Sequence, residues 1–314
     1  MGIEERMHLE AFLASLMARD QAKLTLRGYS SDLRAFALWF DQTNGRAPEP
    51  ADVTPLDIRD YKSHLDAQGM RPSSINRRLT ALRSYFRWAK ETGHIDINPI
   101  NGIRDKPQAD QAPRWLDRRQ ARDLIKAAIR RIQLARLNGH DVQAAEAIRD
   151  MAILNLLLNA GPRVSELCAL RLKDVTITER RGKLLIRSGK GGKWREVPLN
   201  LDARKALQAW LEVRPGTASD HLFVGRRGQP LGPRGVRYLV QRVGQQANPN
   251  DRAISPHTLR HTCAKNLIDT GTPLDQVALL LGHKGLDVTR RYTTPSERDL
   301  EKAVGRIAWT EDTS

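Results

Sequence analysis

The chain has 314 residues, 40% hydrophobic and only 5% aromatic, which suits packed helical cores better than a barrel and suggests two domains of roughly 100–200 residues. Its 52 Lys and Arg against 36 Asp and Glu leave a net charge of +16, pointing to a polyanionic partner, nucleic acid first, although a well-solvated cationic surface gives the same sum. The most apolar stretch, 151–160, is far short of the ~20 residues that span a bilayer. Cys168 and Cys263 are the only cysteines and sit in apolar helical patterns, as buried thiols of a reducing cytoplasm do, rather than in a disulfide or metal site. Glu4 and Glu5 precede any apolar run, against a secretory signal, and Arg6 occupies the position where a myristoylation motif needs Ser or Thr.

In chain order, amphipathic stretches near 7–18 and 25–42 come first. Thr54-Pro55 reads as an N-cap and first helical residue, with Gly69 closing that helix. From Pro72 to Gly93, Ile75, Leu79, Leu82, Phe86 and Ala89 form one stripe, and Asn76, Arg77, Arg78, Arg83 and Arg87 the other. Four helices with basic outer faces make a clamp for one side of a duplex; a solvated charged face is the plainer reading of any single arginine. Residues 104–113 lose all apolar period and hold two prolines, as a surface linker does. Domains are therefore expected at 1–105 and 116–314, joined by a linker at 106–115.

Long helical patterns follow at 117–137 and 143–160. Thr176-Ile177-Thr178, Leu184 to Arg187 and Trp194 to Val197 read as short antiparallel strands, with the glycine-rich 188–193 as the turn between the last two. Helical patterns resume near 202–213 and 233–247. Ser255-Pro256 caps a helix running to Gly271, Thr272-Pro273 caps another running to Gly282, and a third short helix holds Tyr292. His257 and Arg260 share a face one turn apart, while Leu259, Cys263 and Leu267 hold the opposite face in the core.

Each piece alone is weak, since His-x-x-Arg is commonly an exposed helix pair, and cap-helix-Gly-helix also suits a helix-turn-helix reader. The ordered set is more specific. Arg163 lies in Gly161-Pro162-Arg163-Val164-Ser165-Glu166-Leu167, and Lys190 in Gly189-Lys190-Gly191. His257-Thr258-Leu259-Arg260-His261, Leu281-Gly282-His283 and Thr289-Arg290-Arg291-Tyr292 follow. This series resembles the tyrosine recombinases, the lambda-integrase-like and Xer-like family, over nearly the whole chain. The resemblance implies a mainly α fold with a small antiparallel sheet: an N-terminal helical-bundle, SAM-like core-binding domain plus an α+β catalytic domain.

It also implies site-specific cleavage and rejoining of DNA through a 3′-phosphotyrosyl intermediate, with catalytic residues Arg163, Lys190, His257, Arg260, His283 and Tyr292. A phenol with pKa near ~10 is weak at neutral pH, so the phenolate and the extra phosphate charge need fixed cations, which planar Arg163 and Arg260 suit. Lys190 is then the acid for the departing 5′-oxygen, with Lys193 as its rival, and His257 exchanges the tyrosine's proton. Glu166 either holds an arginine in place or makes an ordinary helix ion pair. DNA binding falls to Asn76, Arg77, Arg78, Arg83 and Lys193. No metal and no cofactor are expected, because Arg, Lys and His meet the phosphate charge, no acidic cluster has ligand spacing, and no Walker loop is present.

Three features depart from the family pattern. Pro162 follows the glycine turn, where it serves as the first residue of a helix; 130–146 reads as a longer, more polar surface connection; the tail after Tyr292 is short, with Leu300, Val304 and Ile307 on one stripe. The resemblance implies paired inverted half-sites on double-stranded DNA, a homo-tetramer with the tail helix docked in trans, no membrane, and a cytoplasmic, nucleoid-associated location. It leaves room for a partner recombinase or a DNA-bending accessory protein. The rival functions are a type IB topoisomerase-like nicking-closing enzyme and a non-catalytic DNA-binding regulator.

Overall fold

A computed structural model describes residues 3–19, 21, 23–108, 113–187, 194–250, 254–282 and 304. The chain forms two compact units, Met1–Gln111 and Ala112–Ser314. The first unit contains α1 (Ile3–Arg6), α2 (Leu9–Ala18), α3 (Lys23–Asn44), α4 (Pro55–Ala67) and α5 (Pro72–Glu91).

Capping chemistry starts α4 where the sequence places it. Asp57 N–H donates to Thr54 Oγ1 at 3.3 Å, Thr54 N–H donates back to Asp57 Oδ2 at 2.8 Å, and Pro55 fills the first turn, where no N–H is needed. All five stripe residues of α5 are buried. They meet a ring of aromatics in which Phe12 packs edge-on to Tyr85 and Phe36 edge-on to Tyr61. Past α5 the chain folds back on its own unit: Lys62 Nζ donates to Arg104 O at 2.7 Å, and Asn76 exchanges bonds with the Lys106 backbone at 2.8 and 2.9 Å.

The second unit contains α6 (Arg118–Leu137), α7 (Asp141–Asn159), α8 (Val164–Ala169), β1 (Val175–Ile177), β2 (Gly182–Arg187), β3 (Trp194–Pro198), α9 (Leu201–Val213), α10 (Pro233–Ala247), α11 (Pro256–Asp269) and α12 (Leu274–Leu281). The apolar stretch at 151–160 is the C-terminal part of α7, packed against α6, α9, α10 and α11, which is why it is apolar all round. Among the described residues, no helix is long and apolar enough to cross a membrane. The strands form one antiparallel sheet in the order β1-β2-β3, pairing Leu184 with Val197 and Ile186 with Arg195. Leu184, Ile186 and Val197 face the core, which puts Arg195 on the inward face too.

Three expectations need correction. Thr272 does not cap α12: its N–H donates to Leu267 O at 3.0 Å and Gly271 N–H to Ile268 O at 2.9 Å, a Schellman closure of α11, and α12 starts at Leu274 without a side-chain cap. Pro162 is not the first helical residue, because Arg163 is the N-cap of α8. The surface connection expected at 130–146 is a helical hairpin: the end of α6, a tight turn with Gly139 at φ 66°, and the start of α7.

That helical hairpin carries a buried charge. Asp150 on α7 is fully buried and accepts from Arg131 of α6 at 3.0 Å, from neighbouring Arg149 at 2.8 Å and from Arg242 of α10 at 2.9 Å. Removing one partner of such a cluster leaves uncompensated buried charge, a loss of about 3–5 kcal/mol. Asp150→Ala is therefore expected to lose that much in urea unfolding. Glu196→Ala, which breaks an exposed pair with Lys183, is expected to lose less than about 1 kcal/mol. Equal losses for the two would show that the Asp150 cluster does not clamp the helices.

Candidate active site

The turn before α8 is shaped by close approach. Gly161 adopts φ 58°, and a Cβ there would stand 2.6 Å from Leu281 Cδ2 and 3.2 Å from Cys263 Sγ. The chain then reaches Arg163, extended at φ −66° and ψ 151°, with Glu166 in the first turn of α8. Glu166 Oε2 accepts from the Arg163 N–H at 2.8 Å, and Oε1 from Arg163 Nη1 at 2.8 Å. Arg195 closes a fork on the same carboxylate, with Nη1 to Oε1 at 3.0 Å and Nη2 to Oε2 at 2.8 Å. Arg260 Nη1 lies 4.0 Å from Oε2. Burial pushes the Glu166 carboxyl up, but the bonds from Arg195 and Arg163 outweigh it and hold the group down at about 2.

The same arginines terminate a helix. Arg195 Nε donates to Leu280 O at 2.8 Å, Arg260 Nη2 to Leu281 O at 2.6 Å, and Arg163 Nη2 to Gly282 O at 2.7 Å. Carbonyls at a helix C-terminus lack intrahelical donors and sit at the negative end of the dipole, so three guanidinium groups suit them doubly. Gly282 turns left-handed at φ 67°, and a Cβ on it would stand 2.6 Å from Arg195 Nη1.

On α11, Ser255 Oγ accepts from Thr258 N–H at 3.2 Å, and Pro256 opens the helix. Arg260 is 3% exposed, and its Nη1 also donates to Gly161 O at 2.5 Å. Leu259 and Cys263 of the same helix are buried, and burial pushes the Cys263 thiol up to about 12, so it stays a thiol. His257 lies edge-on to His261, with ring centroids 4.1 Å apart. Its pKa is lowered below the usual 6.5, first by burial and then by the charges of Arg260 and Arg163, so the ring is neutral at pH 7 and able to accept a proton. Arg163, at 44% side-chain exposure, is the arginine of this group that faces solvent most openly.

The structure thus brings Arg163 together with His257 and Arg260 of α11. Lys190, Lys193, His283 and Tyr292 lie outside the described residues, as does the turn at 188–193. In the first unit, Asn76 holds the Lys106 backbone, and Arg83 donates to Ile103 O at 2.8 Å and pairs with Asp105 at 2.7 Å. Arg78 donates to the Tyr61 hydroxyl at 3.1 Å, and Arg77 pairs with buried Asp32 while staying 54% exposed. Arg195 is the residue sequence reasoning missed. Its one signal was alternation: it shares a strand face with buried Val197, and an inward-facing arginine needs an anion. Among the described residues, no three His, Cys, Asp or Glu side chains gather so as to hold a metal.

Residues 114–298 match the model of the phage integrase family, and residues 9–93 match that family's N-terminal SAM-like domain. The chain belongs to the phage integrase family. It is an enzyme of the tyrosine recombinase class, similar over most of its length to proteins named tyrosine recombinase XerC. Identity is 35% to the protein of Pelobacter propionicus, over 92% of this chain and 88% of that one. It is 33% to the protein of Corynebacterium glutamicum, over 90% and 85%. Among solved structures, the fold resembles that of the XerH site-specific recombinase bound to palindromic difH substrate, with a TM-score of 0.74 and 22% identity over 92% of this chain and 81% of that one. A lambda integrase dimer bound to a COC′ core site gives a TM-score of 0.65 at 20% identity, over 88% and 94%. At these identities the structural likeness concerns the fold.

The depressed Glu166 carboxyl links this site to stability. A group whose folded pKa lies below its ordinary 4.5 stabilises the fold in full above that value and loses the contribution as pH falls toward about 2. The stability gap between the native chain and Glu166→Gln is expected to be flat above pH ~5, at about 3 kcal/mol, and to shrink between pH ~4.5 and ~2. Urea unfolding across that range measures it; a gap independent of pH would show that the arginines do not hold an ionised carboxylate.

Proposed function

We propose that the chain cleaves and rejoins double-stranded DNA at specific sites by metal- and ATP-independent transesterification. The phenolic oxygen of Tyr292 attacks the phosphorus and forms a 3′-phosphotyrosyl bond while the bond to the 5′-oxygen breaks. His257 accepts the phenolic proton, Lys190 protonates the leaving 5′-oxygen, and the reverse steps reseal the strand. Arg163 and Arg260 face the non-bridging oxygens, and His283 adds a hydrogen bond to the phosphate. Lys193 is the neighbouring DNA contact on the same turn.

One observation carries the reading. Two arginines about a hundred residues apart in sequence converge on one carboxylate and one helix end, beside a histidine kept neutral by burial first and by their charge second. Such fixed cations act where phosphate charge develops, and loss of one donor in sites of this kind costs on the order of 10²–10³ in rate. Family membership favours strand exchange over topoisomerase-like nicking and closing, and over a non-catalytic regulator. In the first unit, exposed Arg77 and Arg87 on α5 are the phosphate contacts, while Asn76, Arg78 and Arg83 shape the surface that presents them. The substrate has paired inverted half-sites, four copies assemble on it, and the tail stripe that includes Val304, 66% exposed, docks in trans. The enzyme works in the cytoplasm on nucleoid DNA, and a second recombinase or a DNA-bending protein can join it.

Nicked suicide duplexes drawn from DNA flanking the protein's own gene test the chemistry, incubated in EDTA and resolved on denaturing gels. A covalent adduct is expected with the native chain and none with Tyr292→Phe. Specific complexes in native gels without an adduct on any fragment would instead support the regulator.

A further inference from the structure

We infer that Arg195 is a positioning residue for DNA cleavage: it locks Glu166 to the C-terminal end of α12, and so sets the plane of Arg163 and the point from which the chain continues into His283. The inference rests on the recombinase reading above.

Arg195 has the contacts for this role and lacks those of a phosphate ligand. Its two terminal nitrogens form the fork on Glu166, its Nε caps Leu280 O, and its side chain is only 11% exposed, against 44% for Arg163. Glu166 in turn grips Arg163 at both the backbone N–H and Nη1, so Arg163 cannot rotate without breaking a charge-assisted bond. Arg163 also holds Gly282 O, the last carbonyl before His283. A lysine at 195 keeps the charge but offers a single ammonium, which cannot form the fork and cap the helix together. Among the described residues, the groups facing Glu166 are Arg163 at the N-cap of α8, Arg195 from β3 and Arg260 from α11, with His257 near the arginines, and the end of α12 presents backbone carbonyls to the arginines.

A second arginine of the sheet supplies the control. Arg187 on β2 binds Asp174 at 2.7 Å and touches neither Glu166 nor α12 through any bond the structure shows.

The test is the single-turnover rate of covalent adduct formation on a suicide duplex, between pH 5 and 9, for the native chain, R195Q, R195K, E166Q, R187Q and the double variant R195Q/E166Q. Misplacing Arg163 is expected to slow R195Q on the order of 10²-fold. DNA affinity should stay within about twofold, because phosphate contacts elsewhere carry it. Without its fork, the still-buried Glu166 carboxyl takes up a proton more readily, so R195Q is expected to slow further as pH falls. In the E166Q background the R195Q change adds no such acid limb. R195K should recover little, and R187Q should keep the native rate and profile.

Full rescue by R195K, or an R195Q profile parallel to the native one at all pH values, would overturn the inference and leave Arg195 a plain structural staple. A carbon-13 NMR titration of the Glu166 carboxyl, without DNA, decides the coupling separately. It should move upward in R195Q, and an unmoved titration also overturns the inference. A native chain that forms no adduct removes the recombinase reading instead, and the titration still judges the hold of Arg195 on Glu166.

Discussion

The Glu166 carboxylate is the constraint on which the second unit's site depends. It is 8% exposed and meets guanidinium groups from α8, β3 and α11, each of which also binds one of the three successive carbonyls that end α12. Without the anion, three cations would crowd a region of low dielectric; without the cations, a buried carboxylate would stand alone. Both states are expensive, so the four side chains order one another. The group keeps a net charge of two positive, which is what a site for a phosphodiester and its more highly charged transition state requires.

The same chain contains a similar set put to another use. Asp150 also gathers three arginines, yet there the carboxylate is fully buried and Arg149 turns to Val224 O at 3.1 Å. Among the described residues, those guanidinium groups make no hydrogen bond to a carbonyl at a helix end. That cluster joins α6, α7 and α10 through the one carboxylate. Composition alone does not separate a clamp from a site. The difference lies in where the spare edges of the guanidinium groups point, and in the half-exposed Arg163 beside a neutral His257.

Much of this was legible in the sequence because it is local. The Thr54 and Ser255 caps, the α5 stripe and the antiparallel strands each depend on a few neighbouring residues. Thr272-Pro273 misled for an instructive reason: Gly271 just before it demands a Schellman closure, and that closure uses the Thr272 backbone to end one helix before the next begins. Arg163, His257 and Arg260 were expected through the family resemblance that the ordered motifs carry. Arg195 was not, since its partners lie 29 residues away at Glu166 and 85 away at Leu280, and no local pattern carries that pairing. The arginines of α5 show the converse, for their spacing suggested one basic face whereas Arg78 and Arg83 are largely committed to their own unit.

The bonds around Glu166 also differ in strength in a way that orders events at the site. Arg163 holds the carboxylate through a bond in which both partners are charged and Gly282 O through one in which only the donor is, so Coulombic attraction makes the former the stronger. On the proposed chemistry, an arriving phosphate competes for the same guanidinium and displaces the carbonyl well before it displaces the carboxylate. The arginine therefore stays oriented while one of its donors is released to substrate. The carbonyl released is that of Gly282, the residue that ends α12. Glycine is the residue that permits this arrangement at 282, because the left-handed turn and the Arg195 guanidinium 2.6 Å from any Cβ together exclude a side chain.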